Sequence, residues 1–166
     1  MSSVAYNLHD IVRVSFTRDF SPKFIPEHFR TKKVGRTDLV VDERPDIKFD
    51  KARHQHMEHF YGGDGELYFE RPRYGVLTQK MLIDDLFGRS TFSFTRSTRL
   101  AKIGDIVSLI GLLLEVKLLQ RGYTLVHGAG VSKGGKGYLI SGWGGTGKTS
   151  ALIALSRQGF KLLGDE

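Results

Sequence analysis

Gly137-Tyr138-Leu139-Ile140-Ser141-Gly142-Trp143-Gly144-Gly145-Thr146-Gly147-Lys148-Thr149 is the stretch on which the reading of this chain turns. Its first five residues read as a strand. Gly142 to Thr149 satisfy G-x-x-x-x-G-K-[ST] without a mismatch, and Thr149 to Gln158 continue as a helix that Gly159 stops. Strand, glycine loop and helix in that order are the setting of a phosphate-binding loop. Glycines let the backbone curl until successive N–H groups point inward at phosphate oxygens, and the helix N-terminus adds partial positive charge. Lys148 then reaches the β- and γ-phosphates of ATP, and the Thr149 hydroxyl ligates Mg²⁺. The residues assigned to the nucleotide are Gly142, Trp143, Gly144, Gly145, Thr146, Gly147, Lys148, Thr149 and Ser150. The bland alternative is a merely structural glycine-rich turn.

Working outward, Phe160-Lys161-Leu162-Leu163 reads as a short strand that delivers Gly164-Asp165-Glu166 at its C-terminal end. In parallel α/β sheets that end is where ligands bind. A carboxylate there holds Mg²⁺ through water or accepts the proton of an acceptor hydroxyl; otherwise the pair is a solvated strand end. Upstream, Tyr123 to Val126 read as a strand, and Ser132-Lys133-Gly134-Gly135-Lys136 as a hairpin turn. Before these, Ile106 to Arg121 read as a helix opened by Gly104-Asp105 and stopped by Gly122. Its apolar residues run around all sides, so it is expected to be buried on several sides and packed against the sheet that carries the loop. His127, taken alone, is a packed strand-end histidine bonded to a carbonyl.

The order His127-Gly128, hairpin turn, Gly142–Thr149 loop, helix and Asp165-Glu166 resembles the nucleotide-binding core of HPr kinase/phosphorylase and its relatives, P-loop proteins akin to phosphoenolpyruvate carboxykinases. The resemblance covers about 40 residues, Leu125 to Glu166. It implies ATP-dependent phosphoryl transfer to a hydroxyl, on a protein serine or a small molecule. Lys148 and the loop amides hold the phosphates, Asp165 is the general base and His127 lies beside the phosphates. Thr149 and Glu166 serve Mg²⁺, with Glu166 standing where the family has a second Asp. The expected fold is therefore α/β. A P-loop core begins at residue 104 and is incomplete at Glu166, as in the N-terminal part of a longer kinase. It follows a small β-rich module over residues 1–103. Two rival functions remain: a nucleotide-binding sensor that transfers nothing, and a nucleic-acid-linked NTPase.

Residues 1–103 resemble nothing. Ile11–Phe16, Asp38–Val41, Glu66–Phe69 and Ser90–Thr95 read as strands, and Gln79–Phe87 as a short helix with Asp84-Asp85 on its exposed face. Turn signals fall at Ser21-Pro22, Arg44-Pro45-Asp46, Gly62-Gly63-Asp64-Gly65 and Arg71-Pro72. His54, His56 and His59 have no partner cluster and read as a polar surface segment rather than a metal site. The basic and aromatic residues from Arg13 to Lys33 lack any RNP or KH pattern, which argues against nucleic acid.

Composition agrees with an ordinary globular chain: 166 residues, 40% hydrophobic, 26% charged, no Cys. Disulfide frameworks and thiolate chemistry are excluded. The net charge of +7 is spread along the chain, +4 over residues 1–103 and +3 beyond, so no basic tail exists. MSSVAYNLHD lacks the layout of a secretory signal, and no apolar run is long enough to span a bilayer. The chain reads as soluble and cytoplasmic. The acceptor and the oligomeric state, a homo-oligomer included, stay open.

Overall fold

The structure, a computed structural model, describes residues 4–17, 25–32, 35–73, 75 and 77–165. Ser21-Pro22, Arg18, Phe20, Phe24, Lys33 and Glu166 lie outside the described residues, and of Asp165 only the backbone lies within them. The chain divides into two compact units, residues 1–123 and 124–166.

The first unit is a nine-stranded mixed sheet covered by one long helix. Its strands are β1 (Val4–Leu8), β2 (Val12–Phe16), β3 (Arg30–Thr31), β4 (Leu39–Arg44), β5 (Gln55–Met57), β6 (Phe60–Gly63), β7 (Glu66–Arg73), β8 (Leu77–Asp84) and β9 (Ser90–Thr95). They lie in the order β3-β1-β2-β4-β9-β8-β7-β6-β5. β4 pairs in parallel with β2 and with β9, whereas the β5–β8 meander is antiparallel. Alternation drives the packing. Val12, Val14 and Phe16, Leu39 and Val41, Met81 and Ile83, Phe92 and Phe94 all face one core. Helix α1 (Arg96–Leu119) lays Ile106, Ile110, Leu113, Leu114 and Leu118 onto it, at helical spacing.

Three expectations are corrected here. Gln79–Phe87 is no helix, because Gln79, Met81 and Ile83 are buried at period two within β8. Asp84 ends that strand, and the Asp85 carboxylate accepts from the Gly88 and Arg89 amides in the following turn. Arg71-Pro72 is not a turn but part of β7. β6 pairs only as far as Phe69, so Pro72 removes no ladder bond on that side. Helix α1 opens at Arg96 but is interrupted at Lys102, so its main segment begins close to Gly104 as expected, and it belongs to the nine-stranded sheet rather than to the loop-bearing sheet. The division after Tyr123 therefore falls about one helix later than the composition change near Ile103.

Lys117 shows how tightly α1 is fitted. Its side chain is buried, and its ammonium donates to the carbonyls of Leu86 (2.9 Å) and Gly88 (2.6 Å), pinning the turn between β8 and β9. Burial pushes its pKa below the usual lysine value, against the pull of Asp85 and Asp38. Between that lowered value and 10.5 the unfolded chain holds a proton that the folded chain has released, so this residue's contribution to stability grows as pH rises through the window. Wild type is expected to gain stability relative to Lys117→Met between neutral pH and pH ~10, by denaturant titration at each pH. A gap that does not move with pH contradicts the assignment.

The second unit is a three-stranded sheet with one helix. It comprises β10 (Gly128–Lys133), β11 (Lys136–Ser141), helix α2 (Lys148–Arg157) and β12 (Lys161–Asp165), in the strand order β11-β10-β12. The Gly134-Gly135 turn joins β10 to β11 as expected. Tyr123–Val126 form no strand; they approach β10 without ladder partners. Both neighbours of β10 are antiparallel to it, so β11 and β12 run in the same direction on either side, rather than in a parallel sheet. Leu152 of α2 packs on Ala129 and Val131. Among the described residues that core holds three buried apolar side chains, against seventeen in the larger one, at about 1.5–3 kcal/mol for a fully buried Val, Leu or Phe. Amides of β10–β12 are accordingly expected to exchange faster than those of β2, β4 and β9 in native-state hydrogen exchange. Equal protection would contradict this. Among the described residues no helix is long and apolar enough to cross a membrane.

Candidate functional site

The register of the small sheet gathers the candidate residues at one edge. Gly128 opposes Ser141 on one side of β10, and Ala129 opposes Asp165 on the other. The start of β10 and the ends of β11 and β12 therefore lie together. His127 immediately precedes that edge, Gly142 immediately follows it, and Asp165 ends β12 on it. Residues 38 positions apart in sequence become neighbours through a single shared strand.

From the edge the chain runs through Gly142–Gly147 into α2, whose first residue is Lys148. Thr146 closes the loop on itself, its amide (3.3 Å) and hydroxyl (2.8 Å) both donating to the Trp143 carbonyl. Glycines suit this path for two different reasons. Gly147 has φ +87°, left-handed backbone in which a side chain costs about 1–2 kcal/mol. A Cβ on Gly142 would come within 2.8 Å of the Thr146 hydroxyl oxygen.

Lys148 is buried at 7% exposure, and its ammonium is fully engaged within the unit. It donates to the carbonyls of Gly142 (2.8 Å) and Trp143 (3.2 Å) and approaches His127 Nε2 at 3.2 Å. An ammonium has three donors and no acceptor, so Nε2 accepts, which places the imidazole proton on Nδ1. The cation thus sits at the root of the loop, between strand end and helix start. A phosphate drawn there would exchange with carbonyls and imidazole for the same three protons.

Thr149 and Ser150 occupy the first turn of α2 and are exposed. Among the described residues no three His, Cys, Asp or Glu side chains gather into a metal site. His54 instead bonds Glu66 (3.1 Å) and the Asp50 carbonyl, His56 the Glu58 carbonyl, and His59 lies edge-on to Phe69. The chemistry at α2 still suits a Mg²⁺ that arrives with a nucleotide. That ion keeps mostly phosphate and water oxygens and takes only one or two protein ligands, for which a first-turn Thr hydroxyl serves.

An open groove of about 640 Å³ runs beside the loop, lined by Leu125, Val126, His127 and Trp143 among others. Leu125 and Val126, expected in a strand, are instead about half exposed on its wall, and Trp143 is 88% exposed. The signal for it was an apolar pair without ladder partners, visible only once the pairing of β10 is known. No protein-family model, curated protein or solved structure matches the chain.

Proposed function

We propose that residues 124–166 form an HPr-kinase-like nucleotide-binding core that transfers the γ-phosphoryl group of ATP to a hydroxyl. The observation that carries this reading is the convergence of His127, the Gly142–Gly147 loop, Lys148 and the Asp165 position on one sheet edge. Phosphoryl transfer asks the protein chiefly for positioning and for charge neutralisation, and this edge offers both. Loop amides and Lys148 would bind the β- and γ-phosphates. Thr149 and Glu166 would hold Mg²⁺, which when bound supplies further neutralisation of the phosphate charge. Asp165 would take the proton of the attacking hydroxyl, with His127 against the phosphate or the incoming nucleophile.

Transfer and sensing are separated by following the label of γ-³²P-ATP in the presence of Mg²⁺ and candidate acceptors, seryl proteins and small alcohols. The expected result is an ester on a hydroxyl. ATP binding with no label moved supports the sensing role. Label released only as inorganic phosphate, accelerated by added nucleic acid and steeply salt-dependent, supports the NTPase instead.

A further inference from the structure

We infer that the first unit carries a separate binding site for a small carboxylate with an apolar body, in a cavity of about 330 Å³ between the β6–β8 meander and α1. Pleat and register build it. Phe69, Arg71 and Arg73 alternate onto one face of β7, and the antiparallel pairing sets Met81 opposite Phe69 and Gln79 opposite Arg71. From α1, Asp105, Ser108 and Leu109 line the other wall at helical spacing. The volume lies at the small end of ligand pockets, about 300–1,000 Å³.

The floor is apolar and the wall above it is cationic. Phe69 and Met81 are buried, with Phe60 and Leu109 packed against the same core. Arg71 and Arg73 are half-buried just beyond them. Arg73 donates from Nε to the Gln79 carbonyl oxygen (2.9 Å), and Gln79, fully buried, donates in turn to Asp105 (3.4 Å). That bond orients the Arg73 guanidinium while leaving its terminal N–H groups for another acceptor. The Arg71 side chain makes no hydrogen bond or ion pair with any described residue.

The charge balance selects the ligand. Lys102, at the interruption of α1, pairs with Asp105 at 3.0 Å, so these two cancel. Exposed Glu58 at the rim offsets one arginine and leaves one positive charge over the apolar floor. A guanidinium fork matches a planar carboxylate with two parallel N–H···O bonds. A monoanion fits this balance better than a dianion. Half-burying two guanidiniums with only the exposed Glu58 to offset them is less favourable than having a ligand carboxylate bridge them.

The three methionines make the test direct. In the full chain labelled with ¹³C-methyl methionine, Met81 reports from the cavity floor, while Met57, 72% exposed, and Met1 serve as references. Octanoate is expected to shift the Met81 signal saturably and to bind at least tenfold more tightly than either octan-1-ol or acetate. Arg71→Gln, which breaks no side-chain hydrogen bond or ion pair among the described residues, should leave the unliganded Met81 signal in place and weaken octanoate at least tenfold. Arg71→Lys should recover part of that loss. An unmoved Met81 signal overturns the proposal, as does octan-1-ol or acetate binding as tightly as octanoate, or unchanged octanoate affinity in Arg71→Gln.

Discussion

Lys148→Ala is expected to weaken MgATP binding by about 10- to 100-fold and to slow phosphoryl transfer by more than that. A hydrogen bond to a charged group contributes about 1.5–3 kcal/mol, which corresponds to that range of affinity. The loss is bounded because loop amides and the α2 N-terminus still face the phosphates. Transfer suffers further, since charge on the phosphate oxygens must be neutralised as the reaction proceeds. Lys148 also ties the Gly142 and Trp143 carbonyls to the start of α2, so the variant loosens the loop as well as removing charge. Lys148→Arg separates the two effects. It keeps the charge, but its planar fork is a poor replacement for an ammonium held between two carbonyls and an imidazole nitrogen. It should therefore bind MgATP more tightly than the Ala variant and less tightly than wild type. Calorimetric titration measures affinity, and single-turnover transfer measures the rate. Equal affinity in wild type and Lys148→Ala would remove Lys148 from the nucleotide site.

What the sequence discloses here depends on how far apart the partners lie. β10 and β11 are joined by a two-glycine turn, and α2 follows a short glycine loop. Local turn and stop signals therefore place β11 and α2 to within about a residue, whereas β10 is missed because strand composition is read in Tyr123–Val126 instead. The large sheet is different. Its central parallel pairs join Val14 to Leu39 and Leu39 to Ser90, and no local pattern records such partners. In Gln79–Phe87 the adjacent Met81-Leu82-Ile83 hides the period-two burial, since Leu82 is apolar although it is less buried than its neighbours. Helix α1 was legible as a helix, but only one of its faces is buried, with Ile103, Leu112 and Leu119 exposed, and its apolar residues carry no information about which sheet receives them. Tyr123–Val126 have strand composition and no ladder, because composition names a preference and pairing needs a partner. The site divides in the same way. The loop and Lys148 are contiguous and could be read directly. The approach of Lys148 to His127 spans 21 residues and follows only from β10 lying between β11 and β12.

That shared strand also frames the second large effect. Asp165→Asn is expected to leave MgATP affinity within a few-fold of wild type and to cut the rate of transfer by ~10²-fold or more, the scale of a lost general base. The backbone of Asp165 stands opposite Ala129, one residue from the Gly128–Ser141 pair that leads into the loop. If the phosphates of a nucleotide bind at Lys148, a base at this position would act on the transferred group and not on the affinity, so binding would survive and chemistry would not. Asn keeps size and hydrogen-bonding capacity but cannot take up a proton at neutral pH, so the variant isolates that one function. The pattern differs in kind from that of Lys148→Ala. One variant separates rate from affinity and the other reduces both. One further measurement makes the test discriminating. A more acidic acceptor hydroxyl, which needs less help from a base, should narrow the gap between the two proteins. If Asp165→Asn transfers at the wild-type rate, the proton leaves by another route and the base assignment is wrong. If neither protein transfers while both bind MgATP, the sheet edge serves nucleotide sensing, and Lys148 keeps its role while Asp165 loses its own.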